Sequence, residues 1–138
     1  MNLDLLIFFG AVLILGIIVF AWVVRRSGHT RLNVEKYRSD WLSIERQLVK
    51  DSHASYVIAV LNADKLLDKA LKESGYRGNT MGERMKSAKN TWKNANQVWT
   101  AHKVRNTLAH ETDAAISYDT ARRALAAFKQ ALKDVGAI

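Results

Sequence analysis

The chain contains no cysteine and no proline. Without cysteine there is no disulfide framework and no thiolate metal site. Without proline, no helix interior loses a backbone donor, so long helices continue unbroken. Negative charge is also scarce. Against 21 Lys and Arg stand 13 Asp and Glu, a formal charge of +8 over 138 residues. Such an excess attracts polyanions, either nucleic acid or anionic lipid headgroups. The length allows one domain with an appendage, not two cores.

One hydrophobic run stands out from this background. Residues Leu5 through Val24 carry no charged side chain. At about 1.5 Å per residue, about 20 helical residues match the roughly 30 Å hydrocarbon core of a bilayer. The segment before it, Met-Asn-Leu-Asp, lacks the basic start of a secretory signal, and Phe20-Ala21-Trp22-Val23-Val24 offers no convincing cleavage site. The expectation is a retained anchor over 1–26, a linker over 27–30 and a helical domain over 31–138. Arg25 and Arg26 close the run, and Arg31, Lys36 and Arg38 follow. By the positive-inside bias these residues flank the cytoplasm. The expected protein is a single-pass one in the cell's inner membrane, N-terminus outside, with the bilayer as its first partner. Beyond the anchor, 19 basic residues face 12 acidic ones.

Helical periodicity organises the remainder. Tyr37, Trp41, Ile44 and Leu48 mark a helix over 31–50. Ser52 is a candidate cap for a second helix, whose apolar positions are Tyr56, Val57, Val60, Leu61, Leu67 and Leu71; Gly75 is placed to end it. Thr80 and Glu83 fit a capping box for a short helix over 81–90, and a further helix is expected over 94–111. Ser117 or Asp119 caps the last, whose stripe of Ala121, Leu125, Phe128, Leu132 and Val135 is the most regular in the chain. The fold expected is all-α, a transmembrane helix followed by a compact bundle.

Candidate chemistry narrows quickly. Gly75, Gly78 and Gly82 are not spaced as a dinucleotide fingerprint, and no Gly-Lys-Ser/Thr follows, so the loop reads as a turn. His29, His53, His102 and His110 include no pair three or four apart. No metal site and no cofactor are expected. The helix over 94–111 is more informative. With Asn106 at zero and about 100° per residue, Trp99 falls near 20°, His110 near 40°, Lys103 near 60° and Arg105 near −100°. Ala101, Val104 and Leu108 gather on the opposite side. Most such polar stripes are simply solvated. This one carries Trp, Asn, His and Lys, the composition of an interface or site.

At Arg105-Asn106-Thr107-Leu108-Ala109-His110 the chain resembles the HEPN superfamily (higher eukaryotes and prokaryotes nucleotide-binding domains), whose signature is Arg, a polar residue, three variable positions and His. The segment 59–75 looks like the family's helix before its variable loop, and the resemblance covers about 31–136. It implies a HEPN-like four- to five-helix bundle that pairs as a homodimer, two motif helices facing across a cleft. Many members are metal-independent endoribonucleases; others are binding modules or components of toxin–antitoxin pairs. By that resemblance Arg105, His110 and Asn106 are the catalytic candidates, with RNA as substrate and an antitoxin-like protein as an alternative partner. A membrane-tethered adaptor is the remaining reading.

The residue types suit RNA cleavage. Attack by the substrate's 2′-OH needs proton transfer near neutrality, which His supplies, and positive charge at the phosphorane, which Arg supplies. From Lys72 to Arg105 eight basic residues face two acidic ones. Lys86, Lys89, Lys93 and Lys103 are the RNA-binding candidates, with Trp99 as a stacking platform. Trp92 and Tyr76 are expected to pack in the core or loop rather than to stack on bases.

Overall fold

The computed structural model describes residues 2–26 and 31–138; the expected linker over 27–30 lies outside them. Six helices follow in order and, among the described residues, there is no strand: α1 Leu3–Arg26, α2 Val34–Gln47, α3 His53–Glu73, α4 Met81–Ser87, α5 Ala95–His110 and α6 Tyr118–Asp134. The chain divides into two units, Met1–Thr30 and Arg31–Ile138.

The first unit is α1. Its span Leu3–Val23 is long and apolar enough to cross a membrane, and none of it is buried against protein. Phe8, Phe9, Ile14, Phe20 and Trp22 are all exposed. Such a surface is costly in water and suited to lipid tails.

In the second unit α3 is the hub, packing against α2, α4, α5 and α6. Its sequence explains why. Ala59, Ala63 and Ala70 let neighbours approach closely, while Val60, Leu67 and Leu71 fill the space between; all six are fully buried. From α6 come Phe128 and Leu132, also fully buried, with Ala121, Ala124, Leu125 and Ala131 beside them. Burying each large apolar side chain contributes about 1.5–3 kcal/mol. The α2 stripe of Tyr37, Trp41 and Ile44 closes the core from the other side. Tyr37 donates its hydroxyl to Glu73 Oε2 at 2.7 Å. Burial, then that carboxylate, raises the pKa of the phenol.

Several boundaries depart from expectation for local reasons. The helix expected over 31–50 is shorter, because the Asn33 side chain accepts from Lys36 N at 3.0 Å and Leu48 is extended. Ser52 sits at the cap of α3 without a side-chain cap bond. Instead, the Ser55 hydroxyl ties that turn together, donating to Ser52 O at 2.8 Å. The capping box at α4 is present in full, yet the helix stops at Ser87 rather than near 90, and turns lead to α5. Ser117, not Asp119, caps α6, accepting from Thr120 N at 3.1 Å.

Two glycines shape the α3–α4 connection. Gly75 has φ 82°, the left-handed geometry that ends α3. At Gly78 a Cβ would lie 2.7 Å from Arg84 N, so the loop closes on α4 only because the side chain is missing.

Candidate functional site

The motif helix α5 is capped by Asn94, whose side chain accepts from Gln97 N at 3.3 Å. It is covered on two sides, by α3 and by α6. Val98 and Ala101 are buried as an apolar stripe should be, but so is His102. That residue sits on the Asn106 side of the helix, which is therefore not purely a solvated face.

The reason lies across the interface in α3. Asp64, only 3 % exposed, interrupts the apolar run of that helix and accepts from His102 Nδ1 at 2.8 Å. An ionised carboxylate only accepts, so the proton lies on Nδ1. The second oxygen of Asp64 lies 3.2 Å from Arg105 Nε. This is an ion pair by distance but is poorly aligned. Nε is buried and makes no hydrogen bond, while Nη1 donates to Asn106 Oδ1 at 3.0 Å. One buried carboxylate thus holds an imidazole and a guanidinium from the same helix.

These groups line a groove of about 960 Å³ between α3, α4 and α5. Asp64, His102, Arg105 and Asn106 form one wall; Asn79, Thr80, Met81 and Arg84 form the other. Arg84 is committed to structure. Its Nε donates to Asp68 Oδ1 at 2.7 Å and its Nη1 to Gly78 O at 2.6 Å. Burial by itself would raise the pKa of Asp68, but hydrogen bonds from Arg84 and Lys72 outweigh it and hold the carboxyl below its usual 3.8. A carboxylate with a depressed folded pKa stabilises the fold above its unfolded pKa, and that contribution disappears as pH falls through the folded value. The α3–α4 contact is thus expected to hold at neutrality and weaken below about pH 4. Thermal melts from pH 5 to 2 check this: Asp68→Asn, less stable at neutrality, should lose less on acidification than the parent.

The other sequence candidates are distributed unevenly. Arg105 and Asn106 line the groove; His110 does not, and lies exposed at the end of α5. Trp99 is half-buried, packed edge-on to His102 with ring centroids 6.1 Å apart. Lys86, Lys89, Lys93 and Lys103 are all exposed, outside the groove. Trp92 is core, its Nε1 donating to Met85 O at 3.1 Å, and the Tyr76 hydroxyl bonds Thr91 Oγ1 at 2.8 Å.

Sequence reasoning missed Asp64 and His102. A signal existed for each: a carboxylate four residues after buried Val60 and three before buried Leu67, and a histidine one turn before Asn106. Among the described residues no three His, Asp or Glu gather as metal ligands would. No family model, curated protein or solved structure matches the chain.

Proposed function

We propose that the protein is a membrane-anchored, HEPN-type endoribonuclease acting at the cytoplasmic face of the inner membrane. The observation that carries this reading is the placement of Arg105 and Asn106, two of the three motif positions, in a polar groove beside a buried carboxylate. An arginine whose Nε faces Asp64 and whose Nη1 is tied to Asn106 is oriented before substrate arrives. Such preorganised positive charge stabilises the doubly charged phosphorane more than the phosphodiester. The exposed lysines around α4 and α5 supply the phosphate-tracking charge.

His110 completes the motif from a second copy. In its own chain it lies outside the groove, so a composite site brings it in from a paired protomer, where it protonates the departing 5′ oxygen. Confinement to one bilayer raises the effective concentration for such pairing. Cleavage of RNA by the full chain in EDTA tests the reading, and the specific activity should rise with protein density in the bilayer.

The exposure of His110 also favours a second reading, a HEPN module that binds RNA or a protein without cutting. Binding without cleavage would select it. Orientation is tested separately. A C-terminal reporter active only after export should stay silent, and a signal from it would overturn the cytoplasmic placement.

A further inference from the structure

We infer that His102, which lies outside the Arg–polar–His motif, is the imidazole that takes the 2′-OH proton in the α3–α4–α5 groove. The inference rests on the ribonuclease reading and adds a residue that reading does not contain.

Three observations carry it. His102 lines the same groove as Arg105 and Asn106. Its Nδ1 is bound to Asp64, an arrangement that fixes the ring and its tautomer and leaves the lone pair on Nε2. Nε2 makes no hydrogen bond among the described residues, and the side chain as a whole is one-tenth exposed. The charged groups lining the groove are Asp64, Lys65 and Asp68 of α3, Arg84 of α4 and Arg105 of α5. Asp68 is paired with Arg84 and Lys72, leaving Asp64 as the carboxylate bound to the ring.

The step balances without any co-reactant. With the phosphodiester against Arg105, Nε2 of neutral His102 accepts the 2′-OH proton as the O2′–P bond forms. The P–O5′ bond breaks, its electron pair leaving on the 5′ oxygen, which takes a proton from the His110 imidazolium of the second copy. The products are a 2′,3′-cyclic phosphate and a 5′-OH, and the two imidazoles return to their starting states through solvent.

The two histidines then govern opposite limbs of the pH–rate profile. A base must be neutral, so the His102 limb rises with pH; an acid must be protonated, so the His110 limb falls. The test is the pH profile of RNA cleavage by the full chain in lipid nanodiscs, for the parent, His102→Asn and His110→Ala. The asparagine amide keeps a donor for Asp64 but has nothing at the Nε2 position; His102→Gln is the second variant, should the first fold poorly. His102→Asn is expected to retain its melting temperature and its affinity for a 2′-O-methyl oligonucleotide. Its rate should fall by about 10²-fold or more with the rising limb lost, while His110→Ala loses the falling limb. Parent-like cleavage with both limbs intact in His102→Asn would overturn the inference and leave the ribonuclease reading standing. A parent that binds RNA and never cuts it overturns both.

Discussion

Replacing Asp64 by alanine is expected to lower folding stability by about 1–3 kcal/mol, the usual cost of leaving a buried donor unsatisfied. The substitution leaves the His102 Nδ1–H without an acceptor in a side chain that is one-tenth exposed. It also leaves Arg105 Nε facing an empty site. The first loss dominates. Arg105 is one-third exposed, so water screens its share of the attraction. Against a total of about 5–15 kcal/mol for a typical domain, the effect is a substantial fraction. Asp64→Asn keeps one acceptor oxygen for Nδ1–H and should cost less than alanine. Chemical denaturation of the full chain in detergent micelles measures both. A loss under about 1 kcal/mol for Asp64→Ala would mean that the carboxylate does not hold this wall together.

Arg105→Ala is expected to slow RNA cleavage by about 10²–10³-fold, the usual effect of removing one preorganised stabiliser of a developing oxyanion. His110→Ala should cost about 10²-fold for a lost proton donor. Neither residue belongs to the buried core, so both variants should keep the parent's helicity and its melting behaviour to within a few degrees. The lysines behave differently. Lys86→Ala and Lys89→Ala should leave the maximal rate nearly intact, weaken binding, and each reduce the salt slope of affinity by about one. Rates at saturating RNA separate these classes. An Arg105→Ala chain that cuts as fast as the parent would place the activity elsewhere.

The parts of this molecule that depend on local pattern were readable from the chain. Twenty uncharged residues from Leu5 to Val24 became α1, and the stripe from Ala121 to Leu132 became the core face of α6. Capping chemistry was legible where it is contained in four residues, as at Thr80 and Glu83. It failed at Ser52, where the Ser55 hydroxyl supplied the turn's bonds instead. The site was half-legible. Arg105 and Asn106 stood out by their spacing to His110, but the carboxylate paired with Arg105 lies on another helix, and the Asp64–His102 contact spans 38 residues. No periodicity encodes such a pair. A helical wheel for α5 assumes one buried side, whereas α3 and α6 cover two, which is how a histidine on the polar side becomes core.

The central claim, that the groove beside Arg105 cleaves RNA with the substrate's own hydroxyl, is tested most directly by the ends of the products. The full chain in nanodiscs should cut single-stranded RNA in excess EDTA and leave a 2′,3′-cyclic phosphate and a 5′-OH. Products with a 3′-OH and a 5′-phosphate, activity abolished by EDTA, or intact RNA after incubation with tightly bound protein would each contradict it.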